Sequence, residues 1–207
     1  MSDRRGRLIV FEGTEGAGKS THVALAAEAL RRVGHPVRAT AEPGDTALGG
    51  ALRALLLGRS TTPPTPLAEL FLYLADRSQH IAEVIRPALA AGELVLCDRF
   101  SGSTLAYQGF GRGLDLDAVT RADALARDGL TPDLVLLLDC PVRIGLQRVR
   151  GDDRFHAEDE AFHERVRRGF LTLAAADATR WRIVDATQPE PAVHLAVLGA
   201  IRAAISR

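Results

Sequence analysis

The stretch Gly13-Thr14-Glu15-Gly16-Ala17-Gly18-Lys19-Ser20 constrains this chain more than any other. Its spacing, G-x-x-x-x-G-K-S, follows the apolar run Leu8-Ile9-Val10-Phe11 and precedes Thr21 to Val33, where apolar residues recur with a helical period. Glycines at 13, 16 and 18 allow positive φ, so successive backbone N–H groups turn inward at a helix N-terminus and form an anion-binding nest. In such a loop Lys19 reaches the β- and γ-phosphates of a nucleotide, and the Ser20 hydroxyl ligates Mg²⁺. Lys19 is also the only lysine; every other basic residue among the 26 Lys and Arg is arginine. A compact ammonium on a thin stem threads a ring of amides that a planar guanidinium is too broad to enter.

Around this loop, apolar runs alternate with helical periods. Strands are predicted at Arg7 to Glu12, Val37 to Thr40, Leu94 to Asp98, Asp133 to Asp139 and Arg182 to Val184. Helices are predicted from Lys19 to a cap at Gly34, and at Ala47 to Leu57, Leu67 to Ala91 with a bend near Pro87, and Leu114 to Asp128. Further helices follow at Pro141 to Arg150, Glu158 to Ala176 and Pro189 to Ser206. Ser101 to Arg112, polar and glycine-bearing, is expected to be a loop. This order implies an α/β fold, a parallel sheet covered by helices on both faces. A chain of 207 residues fits one domain, 1–207, with the three prolines of Gly58 to Pro66 marking a connector within it. Arg143, Arg148, Arg150 and Arg154 run through a glycine break at Gly151, which suggests a hinged lid at about 148–160.

The charge balance, 26 acidic against 26 basic residues, gives no overall field to attract nucleic acid or an anionic membrane, so neither is expected as a partner. Apolar runs such as Leu134 to Leu138 are too short to cross a bilayer, and the N-terminus has no apolar h-region, so a cytoplasmic location is expected. Cys97 and Cys140 end apolar runs outside any C-x-x-C or Cys/His cluster and are expected to be buried free thiols.

The remaining chemistry narrows by exclusion. The chain contains no asparagine, hence no N-K-x-D loop to select guanine, and no L-S-G-G-Q signature of transport ATPases. A small kinase remains, which must bring two polyanions end to end and neutralise the charge between them with arginines. Arg99, directly after a strand carboxylate, projects from the carboxyl edge of the sheet beside the loop, and Arg77 stands one helical turn after Tyr73. The Mg²⁺ carboxylate is either Asp98 or Asp139, each ending a buried strand; Asp98, followed by Arg99 and a polar segment, is preferred.

Together, Phe11-Glu12-Gly13-Thr14-Glu15-Gly16-Ala17-Gly18-Lys19-Ser20-Thr21, Glu42-Pro43-Gly44, Asp98-Arg99-Phe100, Ala106-Tyr107-Gln108-Gly109 and Asp153-Arg154-Phe155 resemble thymidylate kinase of the bacterial kind, nearly end to end. The resemblance implies a three-layer P-loop kinase fold with a five-stranded parallel sheet, acting as a homodimer to phosphorylate dTMP to dTDP with ATP and Mg²⁺. It implies ATP binding by residues 13 to 21, Arg148 and Arg150, and catalysis by Lys19, Arg99 and the lid arginine Arg154. Glu15 matches the family's acidic residue near the acceptor sugar, Arg99 the arginine bridging both phosphates, Arg77 the arginine near the acceptor base and phosphate, and Tyr73 the ring that stacks on thymine. Ser103, Thr104, Tyr107 and Gln108 fall where the family lines the acceptor pocket, with Tyr107 crowding a ribose 2′-hydroxyl. Ala41, Asp45 and His156 depart from the family's pattern. They leave open a kinase of another nucleoside monophosphate or modified pyrimidine nucleotide, and beyond that a nucleotide-binding module without activity.

Overall fold

The computed structural model describes residues 6–58, 62–149, 155 and 158–206. Five strands, β1 (Arg7–Glu12), β2 (Val37–Ala41), β3 (Leu94–Asp98), β4 (Leu134–Asp139) and β5 (Trp181–Asp185), form one sheet in the order β2-β3-β1-β4-β5, every pair parallel. The helices are α1 (Lys19–Arg32), α2 (Ala47–Leu57), α3 (Pro66–His80), α4 (Arg86–Ala90), α5 (Ser101–Thr104), α6 (Leu116–Arg127), α7 (Val142–Arg148), α8 (Glu160–Ala176) and α9 (Glu190–Ile205).

The central strands are apolar on both faces, as helices on both sides require. Along β1 and β4, Ile9, Phe11, Leu134, Leu136 and Leu138 point to one side and pack with α1 and α9 residues such as Val23, Leu30, Val197 and Ile201. Leu8, Val10, Val95 and Val135 point to the other, against Ile81, Ile85 and Phe100. On that side Leu137 meets Tyr107 and the α8 residues Phe162, Val166 and Phe170. Because all five strands run the same way, their carboxyl ends share one edge of the sheet, where open α/β sheets bind ligands.

Three expectations change. The bend placed at Pro87 is a π-helical turn, Ile81–Ile85, between α3 and α4, with the Arg86 N–H bonded five residues back to the Ile81 carbonyl. Proline has no N–H to continue the α-helical ladder, and the wider turn absorbs that loss. The segment Ser101 to Arg112 is helical rather than a loop: α5 runs into a π-helical stretch, Leu105–Gly111. Its serines and glycines each cost up to about 1 kcal/mol of helix propensity. Burial of Ala106, Tyr107 and Gln108, and hydrogen bonds from the first turn to Glu12, outweigh them. The helix expected from Pro141 to Arg150 ends at Arg148, and the break at Gly151 lies outside the described residues.

Candidate active site

The glycine loop sits at the carboxyl end of β1 and opens α1. Gly16 has φ +69°, and a Cβ there would fall 1.9 Å from the Gly145 carbonyl oxygen of α7, so both conformation and clearance require glycine. The buried Lys19 donates from Nζ to the Thr14 carbonyl at 2.8 Å. Burial pushes its ammonium down to about 8, and the charge on Arg99 acts in the same direction against Glu15, Asp98 and Glu12. The Ser20 hydroxyl donates to the Asp98 carboxylate. Asp139, the other candidate, is held by both Nε and Nη2 of Arg167 at 2.8 and 2.9 Å. Hard oxygen donors converge at Ser20 and Asp98, a set that suits Mg²⁺, whereas the Asp139 carboxylate is already neutralised by a guanidinium.

A cleft of about 1090 Å³ runs over this loop, walled on its far side by Arg148 and residues 186 to 190 after β5. A smaller cavity of about 100 Å³ adjoins it, bordered by Tyr73, Arg77, Thr104, Tyr107, Gln108 and Phe155. Glu15, Glu42, Pro43, Arg53 and Arg99 line both, so they stand where the two spaces meet.

Arg99 is held at that junction by a strained backbone, φ +71°, with its N–H on the Phe11 carbonyl. Its Nη1 donates to the Gly13 carbonyl and to Ser103 Oγ, and its Nη2 to Glu15 at 2.6 Å and to the Tyr107 hydroxyl at 3.2 Å. The guanidinium carbon lies 5.0 Å from the Tyr107 ring centre, and the Tyr107 hydroxyl donates to Glu15 at 2.9 Å. Burial works against the charge on Arg99, but Glu15, Asp98 and Glu12 outweigh it and hold its pKa above the ordinary arginine range.

Arg77 borders the smaller cavity from deep in the core, only 2 % exposed. Its Nε donates to Glu42 at 2.9 Å, and its Nη1 donates to Thr104 at 2.8 Å and to Asp123 at 2.6 Å. Glu42 also meets His80 Nδ1 at 2.9 Å. A buried guanidinium costs several kcal/mol to desolvate, and two carboxylates with full hydrogen bonding offset that cost. Beneath the turn at residues 43 to 45, Asp76 accepts from the Gly44 N–H at 3.1 Å. Burial and the neighbouring Glu42 push its carboxyl up to about 6. Asp45 faces the cleft, and its carboxylate accepts from the Thr40 hydroxyl, which ties it back to β2.

Of the site residues expected from sequence, the structure gathers residues 15 to 21, Asp98, Arg99 and Arg148 around the cleft, and Tyr73, Arg77, Ser103, Thr104, Tyr107 and Gln108 around the cavity. Gly13 and Thr14 complete the loop, with φ +146° at Gly13. Arg150 and Arg154 lie outside the described residues. Sequence reasoning passed over Arg53, which faces both spaces from α2 and donates to the Pro43 carbonyl at 2.7 Å. Its signal was an arginine on the helix that follows the Glu42-Pro43-Gly44 turn. Thr187 and Gln188, also passed over, were marked only by following a strand's carboxyl end.

This geometry has close counterparts among known proteins. The family model described as thymidylate kinase matches residues 11–197. The thymidylate kinase of Desulfovibrio desulfuricans is 51% identical over 210 residues, covering 97% of each chain. That of Geobacter sulfurreducens is 47% identical, covering 93% of this chain and 94% of its own. The crystal structure of thymidylate kinase from Ehrlichia chaffeensis superposes with a TM-score of 0.78 at 32% identity, covering 95% of this chain and 98% of that one. With the family's motifs matched nearly end to end and the same fold beneath them, the chain belongs to the thymidylate kinase family, ATP-dependent phosphotransferases that convert dTMP to dTDP.

Proposed function

We propose that this chain phosphorylates dTMP with ATP bound in the large cleft and dTMP in the smaller cavity, the two phosphate chains meeting at Arg99. The observation that carries this reading is the junction itself: two adjoining spaces share Glu15, Arg53 and Arg99, one floored by the glycine loop and the other walled by Tyr73 and Tyr107. Lys19 and the loop amides hold the β- and γ-phosphates. Arg99 spans donor and acceptor phosphates, lowering the repulsion between two anions that must approach in line, and steadies the charge spread over the transferring group. Arg53 and the Gly44 turn hold the acceptor phosphate, Tyr73 stacks on thymine, and Thr104, Gln108 and Arg77 border the base. Ser103 positions Arg99, Glu15 accepts from the acceptor's 3′-hydroxyl, and Tyr107 closes the side on which a 2′-hydroxyl would stand. Arg148 and Arg150 bind the donor from the lid side, and Arg154 completes the arginine set.

Mg²⁺ would be held by Ser20, with Asp98 directly or through water, and would neutralise phosphate oxygens of the donor. No helix among the described residues is long and apolar enough to cross a membrane, which accords with a cytoplasmic place of work. A homodimer is supported by Leu48, Leu55, Leu67 and Phe71, large apolar side chains exposed on the neighbouring helices α2 and α3. Light scattering at twice the 22.2 kDa chain mass is the expected result, and a single-chain mass contradicts it.

A coupled assay with Mg·ATP across dTMP, dUMP, dCMP, dGMP and ribothymidine monophosphate tests the assignment. The expected order puts dTMP first, with the ribonucleotide slower by about tenfold or more because Tyr107 closes the side on which its 2′-hydroxyl would stand. Equal kcat/KM for dTMP and dCMP contradicts it.

A further inference from the structure

Glu12, the last residue of β1, is fully buried, and neither phosphate chemistry nor base recognition calls on it. Its carboxylate faces the corner after β3. Oε1 accepts the Phe100 N–H and the Ser103 N–H, both at 3.0 Å, and Oε2 accepts the Ser103 hydroxyl at 2.6 Å. Since Ser103 Oγ gives its only proton to Glu12, its lone pairs face Arg99 Nη1, which donates to it at 3.1 Å. The neighbourhood leaves the carboxylate no slack: a Cβ on Gly102 would fall 2.8 Å from Oε1.

We infer that Glu12 is a positioning residue for phosphoryl transfer: acting through Ser103, it fixes the rotation of the hydroxyl that aims the Arg99 guanidinium at the junction of the two nucleotide spaces. The inference rests on the proposed bridging role of Arg99. One side chain thus braces the backbone of Arg99's strained corner at Phe100 and Ser103, and orients the hydroxyl its guanidinium leans on. A protonated Glu12 must donate to Ser103 Oγ instead of accepting from it, which releases the serine hydrogen toward Arg99 and removes a negative charge from the arginine's vicinity.

Burial pushes the Glu12 carboxyl up to about 7, against the Ser103 hydrogen bonds and the charge of Arg99. Lys19 on α1, Arg77 on α3 and Cys97 on β3 also lie within its field. The ordinary value is 4.5, so between pH 4.5 and about 7 the folded chain holds a proton that the unfolded chain has lost. Glu12's contribution to stability is therefore present below 4.5 and lost as pH rises through 7.

The test is a double-mutant cycle of Glu12→Gln and Arg99→Ala, with kcat, both KM values and thermal melting measured from pH 5.5 to 8.5. Glutamine keeps an acceptor for the two N–H groups but turns an NH₂ toward Ser103 Oγ. Glu12→Gln is expected to lower kcat at pH 8 about ten- to hundredfold with KM for ATP little changed, and to change kcat less than twofold when Arg99 is already alanine. The parent's kcat rises with pH through 7 by more than that of Glu12→Gln; ionisation of the acceptor phosphate is common to both and drops out of the comparison. The melting temperature of Glu12→Gln relative to the parent rises from pH 5.5 to 8.5. Should Glu12→Gln melt too low to assay, Ser103→Ala breaks the same link and carries the same expected non-additivity with Arg99→Ala. An equal kcat loss with and without Arg99 overturns the inference, as does parental kcat in Glu12→Gln beside a crippled Arg99→Ala. Parental kcat in Arg99→Ala brings down the bridging role and the inference with it.

Discussion

Replacing Lys19 with alanine is expected to lower kcat by about a thousandfold, with thermal melting showing the fold intact. The ammonium is buried within the glycine loop, with one hydrogen bond to the Thr14 carbonyl. Burial has drawn its pKa down to about 8, so it holds its proton weakly for a lysine. Phosphate oxygens beside it stabilise the charged form, and that stabilisation grows as charge moves onto the bridging oxygen during transfer. The effect therefore falls on kcat more than on KM for ATP, because the loop amides and Ser20 still hold the ground-state phosphates. Arginine does not rescue: the loop backs onto α7 so closely at Gly16 and Gly145 that it has no room to widen around a planar fork. Steady-state rates within tenfold of the parent for Lys19→Ala contradict the assignment.

The glycine loop and all five strands were legible in the sequence because each is specified locally: the loop by glycine and a single lysine, the central strands by unbroken apolar runs that stay buried, such as Leu134 to Leu138. Ser101 to Arg112 was not legible, because its helix owes its existence to partners far along the chain. Glu12 braces its first turn and Phe162, Val166 and Phe170 of α8 pack against Tyr107, and no local pattern announces either. Arg77 shows the same limit. Its spacing from Tyr73 marked it as a site residue, but its bonds to Glu42, Thr104 and Asp123 join residues 27 to 46 positions away. Asp45 stood out in the sequence as a departure from the family's pattern, and the structure gives it a partner in Thr40. Arg53 carried no motif and became visible only once α2 was seen to lie against the Pro43 carbonyl.

The second large effect is expected at Arg99. Arg99→Ala lowers kcat by about a hundred- to thousandfold while both KM values change far less. Each nucleotide keeps its own anchors, the glycine loop for the donor and Arg53 with the aromatic walls for the acceptor. What disappears is a guanidinium at the junction of the two spaces, which matters most when the two phosphate chains are closest. Stability changes modestly, since the Arg99 side chain meets the core only at the Tyr107 ring, and the carboxylate it leaves behind, Glu15, is partly exposed and keeps the Tyr107 hydroxyl. Arg99→Lys recovers only part of the rate, because a point charge cannot reproduce a fork that faces Gly13, Ser103, Glu15 and Tyr107 at once.

Calorimetric titration with adenosine and deoxythymidine joined 5′ to 5′ through five phosphates tests directly whether two nucleotides meet across Arg99. Binding about a hundredfold or more tighter than ATP alone is expected, because the second nucleoside enters its cavity without a separate encounter; since the bridged phosphates lie as close together as in transfer, Arg99→Ala should forfeit part of that gain. An affinity no greater than that of ATP, or a gain that survives intact without Arg99, contradicts the shared junction.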